Sequence, residues 1–147
     1  MKKLLTGVTF VVCAYLFLHY YPETLQNYDA SQDRAPAHEN LIEQALQNRI
    51  SDLQVEGEGT VIAILPDDTR GSRHQRFIIE MSSGHTLLIV HNIDLAQRIN
   101  TLTKGDSVEF YGEYEWNEKG GLVHWTHHDP DGRHADGWIV HNSVKYQ

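Results

Sequence analysis

From Val55 onward, the pattern of apolar and polar positions is that of strands. Residues 59–65 (GTVIAIL) are rich in β-branched side chains and stop at Pro66-Asp67-Asp68. A polar loop, 66–73, leads to a second run at 74–81 (HQRFIIEM). Ser83-Gly84 reads as a two-residue hairpin turn into a third run, 85–91 (HTLLIVH). Asp94 is placed to cap a short helix ending near Leu102, with Leu95, Ile99 and Leu102 at i, i+4 and i+7. Gly105-Asp106 closes that helix and opens a fourth run, 107–116. Residues 117–121 then turn the chain into a fifth, 122–127.

Upstream the period lengthens. In 38–54, Leu41, Ile42, Ala45, Leu46, Ile50 and Leu53 keep helical spacing, which predicts an amphipathic helix that packs on the body or on a protein partner. Residues 22–37 are polar, carry Pro36 and show no period, so they read as a tether. Lys2 and Lys3 precede the apolar run LLTGVTFVVCAYLFL, and residues 1–21 therefore read as a signal anchor or signal peptide. No A-x-A site follows, and Tyr20 and Tyr21 stand where an interfacial aromatic belt would lie, which favours an uncleaved anchor inserted through 4–21. The basic N-terminus stays inside, so the body faces the periplasm or the cell exterior; secretion after cleavage is the alternative. Phe10-Val11-Val12 ahead of Cys13 lacks the small residue of a lipobox, and Cys13 reads as a buried anchor residue. For 55–147 the order β-β-β-α-β-β predicts a mainly β domain, an OB-type five-stranded barrel.

Composition narrows the function classes. The 147 residues carry 12 basic and 20 acidic side chains, a net charge of −8. From residue 22 on, ten basic residues stand against all twenty acidic ones. Duplex nucleic acid, which needs a basic face, is disfavoured, and a cation or small ligand is favoured. A single cysteine excludes a disulfide framework and any multi-thiolate zinc site. Ten histidines are the remaining chemical signal.

Strand alternation places several of them. In 107–116, Val108, Phe110, Gly112 and Tyr114 share the core face, and Glu109, Tyr111, Glu113 and Glu115 share the other. If Val123 and Trp125 point inward, His124 lies opposite Glu113 and His128 opposite Glu109. With a Ser83-Gly84 turn, Arg76 lies opposite His91, and His74, Arg76 and His91 line one outer patch. The run VHWTHHDPDGRHADGWIVH (123–141) places His127 and His128 next to a sharp Asp129–Gly132 turn that brings His134 back toward the strand. Imidazole and carboxylate donors in that density suit a divalent transition metal such as zinc. The candidate ligands are His124, His128, Asp129 and His134; His74, Arg76, His91, His127, Glu109 and Glu113 form a candidate ligand-binding patch. Uncoordinated histidines satisfied by backbone and glutamate are the plainer explanation of the same residues. Arg70, Arg73 and Arg76 form the one basic cluster, suited to an anion or simply solvated. No HExxH, P-loop or GxSxG motif is present.

The strings HQRF (74–77), HNIDLA (91–96), FYGEYEWN (110–117) and WTHHDP (125–130) resemble an uncharacterised family of small exported bacterial proteins over the last two thirds of the chain. That resemblance implies no activity. Residues 102–112 (LTKGDSVEFYG) look like the helix-to-strand-four junction of OB domains. Strand order and Asn92-Ile93-Asp94 are also similar to staphylococcal-nuclease-like OB domains, whose arginine and carboxylate motifs do not occur here. The leading expectation is an exported or membrane-anchored OB-like binding module with a histidine-rich site for a divalent metal. The alternatives are a metal-dependent hydrolase (a phosphodiesterase or nuclease) using the same histidines, and a structural envelope protein docking a partner through helix 38–54.

Overall fold

The computed structural model describes the backbone of residues 34–147 and the side chains from residue 41. The anchor expected at 1–21, and the tether up to residue 33, lie outside the described residues. Among the described residues, no helix is long and apolar enough to cross a membrane.

Helix α1 spans Arg34–Asn48. It starts four residues before the expected 38, and Pro36 falls in its first turn, where the N–H that proline lacks has no helical partner. It also stops well short of 54. Arg49 takes a left-handed conformation (φ 56°), while the Ile50 amide donates to the Ala45 carbonyl and the Arg49 amide to the Leu46 carbonyl. These two bonds form a Schellman cap, which ends the helix before the Ile50–Leu53 apolar pair can join it. Ile42 and Ala45 are buried in the hydrophobic core, and Leu41 and Ile50 are left exposed.

The rest of the chain is mainly β. Strand β1 (Leu53–Asp68) is followed by β2 (His74–Glu80), β3 (Thr86–Asn92), β4 (Ser107–Glu115), β5 (Leu122–His124), β6 (Trp138–His141) and β7 (Val144–Tyr146). Strand β1 begins six residues earlier than the 59–65 pattern predicts. Its first half pairs with β4 and its second half with β2, with a register shift between Val61 and Ala63 where it changes partner. Such irregularities bend a strand and raise its twist, which lets one strand serve two sides. Gly57 lies under the Phe110 ring, where an added Cβ would sit 2.7 Å from the ring carbon Cζ. The neighbour order β1-β2-β3-β5-β4, closed by β4 on β1, makes a ring of five strands, and β6-β7 extends from β4. All these pairings are antiparallel except β3 with β5. The ring interior holds Val61, Phe77, Ile79, Leu87, Ile89, Phe110 and Tyr114, none more than 3 % exposed.

Three expected features change. No helix forms at 94–102; the segment is irregular, with turns at 93–95 and 100–101. The buried Gln75 side chain takes both main-chain groups of Ile99, donating to its carbonyl (3.0 Å) and accepting from its amide (2.8 Å). Asp94, the expected cap, accepts instead from the Arg73 amide (2.7 Å) and Arg73 Nε (2.6 Å). The β2–β3 turn is also one residue longer than Ser83-Gly84: the Met81 amide meets the His85 carbonyl, and Gly84 takes φ 82°. That slip pairs Gln75 with His91 and Arg76 with Val90. Finally, β5 stops at His124, and the chain returns to add a hairpin, β6-β7, that the histidine-rich run conceals.

Candidate metal centre

The β4–β5 pairing sets the site. Glu113 and Glu115 lie two apart on β4 and so share its outer face, and Glu113 pairs directly with His124, as alternation predicts. His124 Nε2 lies 3.2 Å from Glu113 Oε1 and 3.9 Å from Glu115 Oε1. One donor atom from each of the three residues lies within 4.8 Å of the others, and all three side chains are half-buried. Two carboxylates thus converge on one imidazole, on a chain already strongly negative. Like charges this close repel unless a cation stands between them.

Loop 125–137 covers this cluster. Trp125 adopts φ 51°, a conformation that a bulky residue seldom takes. This single left-handed residue ends β5 and breaks the alternation. Thr126, which alternation puts on the outer face with His124, is buried, and Trp125, expected in the core, turns its ring onto His134 at 4.2 Å between centroids and 9° between planes. His134 Nε2 lies 2.6 Å from Glu113 Oε2, and its Nδ1–H donates to the Ala135 carbonyl at 2.8 Å. Burial opposes a charge on His134, but Glu113, the Ala135 carbonyl and Asp129 outweigh it and hold its pKa above the ordinary histidine value. Gly137 closes the loop by donating to the His127 carbonyl, and an added Cβ there would lie 1.8 Å from the Trp125 carbonyl oxygen.

Asp129 is the staple of this loop, and its carboxylate is spent there. It accepts from the amides of Asp131 (3.1 Å), Arg133 (2.7 Å) and His134 (2.8 Å). Those amides, led by that of Asp131, pull its pKa below the usual carboxylate value. His128 is exposed and donates from Nδ1 to Asp136 at 2.9 Å, so it faces away from His124. Of the four expected ligands, then, the structure brings His124 and His134 to one carboxylate, Glu113, and gives Asp129 and His128 other partners.

The expected patch separates. His91 is fully buried; its Nε2–H donates to the Gln97 carbonyl, and its Nδ1 accepts from the Thr126 hydroxyl. Burial lowers its pKa to about 4. Arg76 reaches back to the Pro66 carbonyl, and His74 pairs with Asn92 at the strand end. His127 is buried, with Nδ1–H on the His128 carbonyl. Glu109 lies opposite Val140 rather than His128, because β6 and not β5 fills that position. Arg73 pairs with Asp94 at 2.6 Å, whereas the Arg70 side chain is exposed and comes only within 3.7 Å of Asp68, so the three arginines do not converge on one site. Glu115 joins the site although it was not among the expected ligands; its place two residues after Glu113 on the same strand face was the available signal.

The chain matches a protein family of unknown function, DUF3465, over residues 27–147. It belongs to that family. No curated protein matches the chain in sequence. The family match takes in every strand and every residue of the Glu113, Glu115 and His124 cluster, and it carries no assigned activity.

Proposed function

We propose that this chain is an exported or membrane-anchored binding module of OB type that holds one divalent transition-metal ion at Glu113, Glu115 and His124. The neighbour order β1-β2-β3-β5-β4 closed on β1, with β3 parallel to β5, supports the OB reading. The basic start and apolar run of the first 21 residues support export.

One observation carries the metal reading: the mutual approach of three donor atoms within 4.8 Å. A tetrahedral ion with bonds of about 2.1 Å sets its ligands roughly 3.4 Å apart. The 3.2 and 3.9 Å contacts of His124 with the two glutamates bracket that spacing, so small side-chain rotations complete the site. A mixed nitrogen and carboxylate set favours zinc, nickel, cobalt, manganese or ferrous iron over calcium, which prefers oxygen alone. Titration calorimetry of the full chain, made without a histidine tag, tests this. One equivalent of Zn²⁺ is expected to bind, and Glu113→Gln and His124→Ala are each expected to weaken binding at least tenfold. Wild-type affinity in both variants, or no binding by the parent, contradicts the assignment.

A further inference from the structure

The geometry points to His134 as a further ligand of this same ion, delivered by loop 125–137, so that the filled site holds two imidazoles and the two glutamates. This inference rests on the metal reading above and adds to it a ligand and the loop that supplies it. Three independent features converge on the His134 ring. Its Nδ1–H is fixed on the Ala135 carbonyl, which leaves Nε2 as the nitrogen that turns toward the cluster. In a histidine that binds metal through one nitrogen, a hydrogen bond from the other commonly sets tautomer and orientation. Nε2 then faces Glu113 Oε2 at 2.6 Å, on the carboxylate whose other oxygen, Oε1, lies 3.2 Å from His124 Nε2.

The ring plane is set as firmly as the nitrogen. Trp125 stacks on it at 4.2 Å, and Trp125 holds this position through a left-handed backbone that costs energy. The Asp129 carboxylate fixes the His134 amide, and Gly137 fits against the Trp125 carbonyl where no side chain could. This loop holds the His134 imidazole against the carboxylate that His124 also approaches; His134 stands outside the 4.8 Å group of Glu113, Glu115 and His124, so joining the ion requires the Glu113 carboxylate to turn between the two rings. The histidines His127 and His128 in the same loop do not share this arrangement: one is buried on a main-chain carbonyl and the other is exposed on Asp136.

Trp125 also supplies the readout, because a metal ion on His134 alters the electronics of the ring that stacks on it. Zn²⁺ titration of the full, tag-free chain is followed by calorimetry and by tryptophan emission. Binding with a change in emission is expected for the parent, together with a loss of affinity of about 10- to 100-fold in His134→Ala. X-ray absorption of the zinc-loaded parent counts imidazole ligands without any substitution, and covers the case in which the variant fails to fold: two imidazoles are expected. Zinc bound with a single imidazole, or with parental affinity in His134→Ala, overturns the role of His134 while leaving the three-residue site standing. A parent chain that binds no zinc overturns both.

Discussion

Among the described residues, the histidines divide by what their ring nitrogens touch. His91 and His127 are buried on main-chain carbonyls, His141 is buried on Asp106, and His124 and His134 share Glu113. Sequence showed their density and, through alternation, the pairing of His124 with Glu113. It could not show that Trp125 would turn left-handed, since tryptophan gives no signal for positive φ, and that one residue decides which of Trp125 and Thr126 enters the core. A two-residue turn at Ser83-Gly84 would put His91 outward; the three-residue turn of the structure shifts the register by one and reverses its face. A prediction follows from its burial. In the fold its pKa is lowered to about 4 from 6.5, so the neutral ring is the form the fold favours. The stability that this contributes is fully present above about pH 6.5 and is lost as pH falls through 4, a total of about 3 kcal/mol. Nitrogen-15 resonances of the His91 imidazole should stay in their neutral positions until near pH 4; a midpoint near 6.5 contradicts its placement.

Among the elements, those legible in the sequence have strong local patterns, and the others are set by distant partners. Strands β2, β3 and β4 alternate cleanly and appear where expected. The segment 94–102 carries helical spacing, yet the amide and carbonyl of Ile99 at its centre are taken by Gln75 from 24 residues away, and Ile99 and Leu102 are buried without a helix. The first half of β1 is marked in sequence only by the change to a strand pattern at Val55, because Gly57 and Gly59 weaken its alternation, although close contact with Phe110 and the Glu80 carbonyl demands them there. The β6-β7 hairpin turns on Asn142 (φ 50°) and Ser143 (φ 62°), both left-handed, as a two-residue type I′ turn requires. Asparagine tolerates that conformation and serine pays for it. Ser143→Gly is therefore expected to stabilise the chain by about 1 kcal/mol in chemical denaturation. Unchanged or reduced stability would mean that the turn is not formed this way.

Net charge and topology together explain why the site lies where it does. The excess of carboxylates is concentrated by the fold: β4 lays Glu113 and Glu115 on the outside of the ring, β5 sets His124 against them, and the chain after β5 folds back with His134. Mainly β class and the five-strand order were legible from alternation. The additional hairpin was not, because its strands lie inside and after the histidine-rich run and share that run's composition. The legible part of the site was the part governed by a period of two; the remainder depends on a loop whose course is set by Asp129, Trp125 and Gly137. The most direct test is a crystal of the tag-free chain grown with Zn²⁺, with anomalous data collected on both sides of the zinc edge. The predicted result is one strong peak at roughly 2.1 Å from donor atoms of Glu113, Glu115 and His124. A fully ordered cluster with no peak, its histidines paired to the glutamates by protons alone, would contradict it.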